Sequence, residues 1–318
     1  MNFWRIIALR ISMGLAVAWG VMTTIFAMFT LTDDWVLNAE LAILRFADTE
    51  EEVIEAVRDQ YLMQRGLDRP LWEVYLDWMG NMVLLDWGES FNTGEPAFTA
   101  VSDAVIRTGM YILPALGIAI AIGILIGLYA ALYRDKPLSN SGVLLAYLLF
   151  VIPMFWVGGM MLALNFPDSL SPDYSHWLYD HALPILLTTA ALLGGYVSYA
   201  RAHSLEYVGR DFTKLVKAKG GNNVLIAKHV LRNAAIPFFS MLFTEAMALI
   251  LLGIFVIEAV FGIDGFGMLL LDSIRQRDLP LIMGGMLYII AFGVIGNIIQ
   301  DLSYSHFDPR VDTGARDV

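Results

Sequence analysis

Six long apolar runs alternate with polar segments along the chain: Ile11 to Leu31, Thr108 to Tyr133, Ser141 to Phe166, Ala182 to Ala200, Asn233 to Ile257 and Leu279 to Gln300. Each is close to the roughly 20 residues that a helix needs to cross the hydrocarbon core of a bilayer. None holds a Lys or Arg, and an acid interrupts one of them, Glu245 in the fifth. The pattern predicts an all-α integral membrane protein with six transmembrane helices. Arg5 and Arg10 precede the first run, and Ala16-Val17-Ala18 imitates a signal-cleavage site, but the apolar residues continue far past it. That length predicts an uncleaved first helix. Pro114 and Pro153 should kink or open their helices. Gly123 and Gly127 have the small-xxx-small spacing that lets two membrane helices approach closely, and Gly117, Gly158, Gly159, Gly194, Gly195, Gly293 and Gly296 add small residues elsewhere in the spans.

Composition agrees with the pattern. Hydrophobic residues make up 58% of the 318 and charged residues 16%, and mean hydropathy is +0.62, whereas a soluble domain carries about 25% charged residues. The absence of cysteine excludes disulfides, thiolate metal sites and a thiol nucleophile. A net charge of −11 repels phosphate, so no nucleic acid is expected as a partner.

Orientation is read from Lys and Arg in the polar segments. With the N-terminus inside, 13 of the 20 lie on the cytoplasmic side and 7 outside. Seven of the inner ones form one cluster, Arg201, Arg210, Lys214, Lys217, Lys219, Lys228 and Arg232. Both termini are therefore expected in the cytoplasm. The chain then divides into 1–32, a cytoplasmic N-terminus and first span; 33–107, an extracytoplasmic helical insertion; 108–303, a five-helix core that includes a cytoplasmic loop at 201–236; and 304–318, a cytoplasmic tail. The insertion is strongly acidic, with 16 Asp and Glu against 5 Arg from Asp33 to Arg107. Such a face fits either a high-salt exterior, hence a halophilic host, or a docking surface.

Within the insertion, Thr49 and Glu52 form a capping box ahead of Val53, Ile54, Val57, Tyr61 and Leu62 at helical spacing, and Gly66 can end that helix. A second helix is predicted from Leu71 to Leu84. Trp72, Trp78 and Trp87 fit a membrane interface or the packing of a small cap. The run Arg65-Gly66-Leu67-Asp68-Arg69-Pro70-Leu71, then Tyr75, Trp78 and Asp86-Trp87-Gly88-Glu89-Ser90, resembles the outer segment of dipeptide/oligopeptide permeases.

The 201–236 loop reads as two short helices broken at Gly220-Gly221. The second has Val224, Ala227, Leu231 and Ala234 on one stripe, with Lys228, His229 and Arg232 toward other faces. A basic amphipathic helix can lie on anionic lipid, follow the positive-inside bias or dock a cytoplasmic partner. Asp211-Phe212-Thr213-Lys214-Leu215-Val216-Lys217-Ala218-Lys219-Gly220, followed by Lys228-His229-Val230-Leu231-Arg232-Asn233-Ala234-Ala235-Ile236-Pro237, resembles the "EAA" loop of ABC importer permeases in its peptide-permease version. Lys214 stands where the general motif often has glutamate. Glu258-Ala259-Val260-Phe261-Gly262, Gly265-Phe266-Gly267, Arg277-Asp278-Leu279-Pro280 and Asp308-Pro309-Arg310 are similar to the family's C-terminal stretches, with Asp264 in place of a usual proline.

The resemblance implies an ABC type I importer permease fold. It also implies a loop that couples to an ATPase through Asp211, Lys214, Ala218, Gly220, His229, Arg232 and Asn233. The partners it implies are a second homologous permease subunit, two cytoplasmic ABC ATPase subunits and an extracytoplasmic solute-binding protein, all in or at the lipid bilayer. The expected cargo is a di- or oligopeptide or a similar small solute. No phosphate-binding loop occurs in the chain itself, no cofactor is implied, and no nucleophile–base pair suggests an enzyme. The five histidines are scattered, and His176 and His181 with Asp173 and Asp180 read as solvated loop residues rather than a metal site. Glu245, at membrane depth, and Glu258, at the outer end of the fifth span, are candidates for the translocation path, with a structural or gate-turn role favoured for Glu258. Asn297 and Gln300 suit hydrogen bonds between helices. The rival is a secondary transporter driven by an ion gradient with Glu245 as its coupling site; an enzyme acting within the membrane ranks last.

Overall fold

The computed structural model describes residues 3–134, 136–164, 177–234, 238 and 254–307. Their elements are helices: α1 (Phe3–Leu31), α2 (Trp35–Phe46), α3 (Glu51–Gln64), α4 (Leu71–Val83), α5 (Ala97–Leu132), α6 (Pro137–Val151), α7 (Met154–Ala163), α8 (Leu183–Val208), α9 (Asp211–Ala218), α10 (Asn223–Asn233), α11 (Ile254–Phe261), α12 (Phe266–Arg275) and α13 (Leu279–Phe307). One isolated antiparallel bridge joins Glu89 to Pro96. Four stretches are long and apolar enough to cross a membrane, Ile7–Phe46, Ala97–Leu132, Leu178–Val208 and Leu279–Gln300, and α6 with α7 makes a fifth if that bent pair is one span. The fifth run of the sequence, Asn233 to Ile257, falls almost wholly outside the described residues, as do Glu245, His176, Asp173, Pro237 and Asp308-Pro309-Arg310.

The third run, Ser141 to Phe166, is not one straight helix. It breaks at Ile152-Pro153 with a bend of 70° between α6 and α7. Pro153 lacks an N–H, and its ring drives the preceding residue out of the helical region; Ile152 accordingly has ψ 125°. Pro114, by contrast, leaves α5 continuous. The helix that carries the second run begins at Ala97, ten residues before Arg107. A single π turn, Leu178–Ala182, leads into α8.

The chain folds as two compact units. One comprises Met1–Ile6, Arg107–Ile263 and Ile295–Val318. At its centre the later part of α5 and α6 pack on α8, with Ala130, Val143, Ala146, Leu193 and Val197 buried together. Glycine permits the approach. A Cβ on Gly127 would stand 2.6 Å from Ala200 Cβ and 2.7 Å from Arg201 N, and one on Gly123 would strike Tyr196. Gly194 fills the same role where α8 meets Phe150 and the carbonyl of Ala146. In a bilayer, where burying apolar surface gives no drive between helices, such close van der Waals contact is what holds them.

The other unit comprises Ile7–Ile106 and Asp264–Val294. Its polar segment holds three helices, where the sequence suggested two. The additional one, α2, is capped by Asp34, whose carboxylate accepts from the N–H groups of Val36 (3.1 Å) and Leu37 (3.0 Å). Leu37 and Leu41 of α2 pack on Ile54 and Tyr61 of α3. The expected capping box of Thr49 and Glu52 is not made: Glu50 is the N-cap of α3, and no side chain bonds there. Gly66, at φ +67°, ends α3 as its left-handed tolerance allows. Trp87 is buried, with its ring edge-on to Phe98 and Tyr288, whereas Trp72 remains largely exposed.

Candidate functional site

The basic cluster 201–236 is built on the end of α8. After Val208 the chain turns at Gly209 into α9, and Thr213 Oγ1 donates to the carbonyl of Tyr207 at 3.0 Å, tying the first turn of α9 back to α8. Thr213 is 1% exposed, which fixes which side of α9 faces inward. The break expected at Gly220-Gly221 is present. Gly220 has φ +80°, and the N–H groups of Gly220 and Gly221 bond the carbonyls of Lys217 and Val216 at 2.9 Å each. Gly221 is equally required, since a Cβ there would lie 2.8 Å from the Val216 carbonyl. Asn222 then caps α10, its Oδ1 accepting from Leu225 N at 2.9 Å.

The buried face of α10 differs from the expected stripe. Ile226 and Val230 are the inward residues, clustered with Leu128 of α5 and flanked by Tyr207, Val208, Val216, Ala227 and Leu231; Ala234 is also buried. Val224, assigned to the stripe from sequence, is 75% exposed. The choice of Ile226 over Val224 follows from the crossing of α10 over α5 and α8, a tertiary fact that periodicity alone does not contain.

Asp211, Lys214, Ala218, Gly220, Arg232 and Asn233 lie on the exposed surface of this hairpin, and His229 is half-buried. Asp211 pairs with Lys214 at 2.9 Å, one turn along α9. That hydrogen bond, and the ammonium charge behind it, hold the Asp211 carboxyl below the usual carboxylate range. Asn233 Nδ2 donates to the carbonyl of His229 at 2.7 Å. Arg210 bonds Glu206 and lies over the Tyr207 ring at 4.9 Å. Leu215, Val224 and Leu225 are exposed beside these charges. The hairpin thus presents a surface of cations and three apolar side chains on a base anchored by Ile226 and Val230.

Glu258, on α11, is fully buried. Its Oε1 accepts from Thr108 Oγ1 at 2.6 Å and Tyr111 OH at 3.2 Å, both on α5. These two bonds tie α11 to α5 through the Glu258 carboxylate. Among the described residues no group of three or more His, Cys, Asp and Glu could hold a metal ion.

Residues 123–313 match the family described as binding-protein-dependent transport system inner membrane component. The chain belongs to that family. The match begins within α5 and covers the α9–α10 hairpin. A peptide permease protein of Brucella suis, so described by its name, is 30% identical over 321 residues, covering 95% of this chain and 97% of the relative. The oligopeptide transport system permease protein AppB of Bacillus subtilis is 29% identical over 277 residues, 83% of this chain and 87% of its own. The dipeptide transport system permease protein DppB of Escherichia coli is 28% identical over 289 residues, with coverages of 79% and 84%. This inner membrane component is therefore a multi-pass membrane protein and a permease component of the ABC transporter kind.

Proposed function

We propose that this permease is the membrane subunit of an ATP-driven importer for di- or oligopeptides. It would work with a second homologous permease, two cytoplasmic ABC ATPases and an extracytoplasmic solute-binding protein. In this reading six helices cross the bilayer, the fifth lying within Asn233 to Ile257, and both termini are cytoplasmic. The 33–107 insertion faces outward, and the tail from residue 304 faces inward. The names of AppB and DppB as oligopeptide and dipeptide permeases support the cargo class.

The observation that carries the reading is the hairpin α9–α10. It exposes charged and apolar side chains on one face and is anchored on the other by Ile226 and Val230, as a part gripped by another protein requires. ATP binding favours the closed arrangement of the ATPases, and only a differential interaction of this kind can shift the permease between two states. Closure displaces α9. The push passes through Val216 to Ile226 and Val230, then into Leu128 of α5, and along α8 without a break. Asp211, Lys214, Ala218, Gly220, His229, Arg232 and Asn233 form the gripped surface. Lys214 is paired with Asp211 within α9, and Lys217, Lys219, Leu215 and Val224 lie exposed beside that surface.

The test is uptake of a radiolabelled dipeptide into liposomes that hold this chain with its second permease, ATPases and binding protein. Uptake should require ATP inside and the binding protein outside. An Ala218→Glu variant, which places a carboxylate on the exposed end of α9, should assemble and hydrolyse ATP yet lose uptake. Uptake driven by an ion gradient without ATPases would overturn the importer reading in favour of a secondary transporter.

A further inference from the structure

Arg277 and Asp278 are adjacent in the loop between α12 and α13, and both are buried, 3% and 1% exposed. Arg277 also sits at φ +53°, in the left-handed region that a non-glycine residue occupies only when its surroundings impose it. The two side chains diverge to the two ends of the 33–106 insertion. The Arg277 guanidinium donates through Nη1 to the carbonyl of Asp33 at 2.9 Å and to Thr32 Oγ1 at 3.2 Å, and through Nη2 to the carbonyl of Phe29. It therefore bonds a carbonyl in the last turn of α1, that of Phe29, where a cation is favoured by the helix dipole. Its Nε lies 3.3 Å from Asp34 Oδ2, and the rings of Phe29 and Trp35 stack on it at 4.8 and 4.7 Å. Asp34 at the same time caps α2 and accepts from Tyr61 OH at 3.0 Å. Trp35 Nε1 donates to the carbonyl of Arg275 at 3.0 Å.

Asp278 turns to the exit of the insertion. Its Oδ2 accepts from Ser90 Oγ at 2.6 Å and Asn92 Nδ2 at 3.0 Å. Ser90 Oγ in turn accepts from the N–H groups of Asn92 and Thr93 at 3.2 and 3.0 Å. The carbonyl of Asp278 receives Ile282 N at 3.1 Å in the first turn of α13. One dipeptide thus joins the entry of the insertion, its exit and the start of the last long apolar helix.

We propose that Arg277 and Asp278 are positioning residues that make the 33–106 insertion and the N-terminal end of α13 a single rigid body. A force applied to the insertion by a docked solute-binding protein then reaches the last membrane helix directly. The inference rests on the importer reading for its partner. The physical ground is that a buried charge stripped of its partner is strongly unfavourable. Rotating the insertion about its ends would strip Arg277 and Asp278 together. The joint is therefore either fully made or broken, and the insertion is not a lid that hinges at Asp33-Asp34 or near Glu95.

The chain has no cysteine, so a Ser90→Cys, Asp278→Cys pair supplies its only thiols. In liposomes with the ATPases, oxidation of this pair should leave both basal ATP hydrolysis and its stimulation by the binding protein intact, and reduction, which leaves the joint with neither the disulfide nor the Asp278 carboxylate, should lower the stimulation while basal hydrolysis stays unchanged. Arg277→Gln should keep basal hydrolysis and lose stimulation by about five-fold or more, the lower range for coupled sites. Stimulation that disappears on oxidation and returns on reduction would overturn the proposal, as would full stimulation in Arg277→Gln. If Arg277→Gln does not assemble, the cysteine pair, which keeps Arg277, decides. Cross-linking in cell membranes without any ATPase separates this inference from the importer reading: complete cross-linking supports a single body, and a fraction that resists it contradicts one.

Discussion

Replacing Gly127 with alanine, beside the same change at Gly117 on the same helix, isolates the close approach of α5 and α8. Both changes remove a glycine from a helix interior, which by propensity alone favours alanine by about 1 kcal/mol. That term is common to the two and cancels in their difference. A Cβ at Gly117 meets nothing within 4 Å, whereas one at Gly127 lies 2.6 Å from Ala200 Cβ, 2.7 Å from Arg201 N and 2.9 Å from Val197 O. Unstrained carbon contacts need roughly 3.5–4.0 Å, and two of the three obstructing atoms are backbone, which no rotamer change removes. The helices must therefore separate locally by about 1 Å, giving up dispersion contact around Ala130, Val143 and Val197. Overpacking of this kind costs about 1–3 kcal/mol, so Gly127→Ala should be less stable than Gly117→Ala by that amount. Unfolding in mixed micelles, followed by the fluorescence of the 8 tryptophans, measures the difference. Equal stability of the two variants, or a more stable Gly127→Ala, would refute the contact and with it the packing of α5 on α8.

Gly220→Ala places an L side chain at φ +80° and should destabilise the α9–α10 turn by about 1–2 kcal/mol. Its expected outcome is normal membrane insertion with reduced ATP-dependent uptake, read in the liposome assay. Tyr61 gives a pH signature: burial, with the neighbouring Asp34 carboxylate and its hydrogen bond, pushes the phenol well above its ordinary value against the opposing charges of Arg65 and Arg277. An acid whose folded pKa is raised contributes stability that is fully present below its unfolded value, near 10, and is lost as pH rises beyond it. Tyr61→Phe should therefore lower stability at pH 7 and flatten its decline above about pH 10, as shown by melting temperatures measured across that range.

The apolar runs were legible because a bilayer demands length and uniform apolarity, and both are properties of a linear string. Arg201 to Arg232 and its break at Gly220-Gly221 were legible for a similar reason, since glycine at a left-handed turn is a local requirement. The bend at Pro153 was anticipated and the continuity of α5 through Pro114 was not, because a proline inside a membrane helix breaks it only where neighbouring groups do not make good the lost hydrogen bond. Helix α2 left a local signal, Asp34 ahead of Leu37, Leu41 and Leu44 at helical spacing, but Trp35, Ala39 and Ile43 blurred it by making the opposite face apolar as well. The inward face of α10 and the divergence of Arg277 and Asp278 had no local signal. Each is decided by contacts more than 60 residues away in sequence, to Leu128 in the one case and to Phe29, Asp33 and Ser90 in the other.

The distribution of charge in the insertion separates what folds it from what it offers. Of the 16 Asp and Glu between Asp33 and Arg107, all but Asp34 and Glu73 are exposed. Four of the five Arg are exposed as well, and the fifth, Arg65, is buried against the rings of Tyr61 and Phe91 at 3.5 and 5.0 Å. The charges that organise the segment are thus few and internal: Arg65, Asp34 and, from the loop before α13, Arg277 and Asp278. The exposed acids contribute little to stability, since solvated ion pairs such as Arg69–Asp77, 2.9 Å apart, are worth at most about 1 kcal/mol, and their mutual repulsion works against a compact cap. An acidic surface retained despite that repulsion is a property directed outward, toward salt or toward a basic partner. The two have opposite salt dependence. Docking to a basic protein weakens as salt screens the attraction, while a surface adapted to high salt holds the cap together better as salt screens the repulsion.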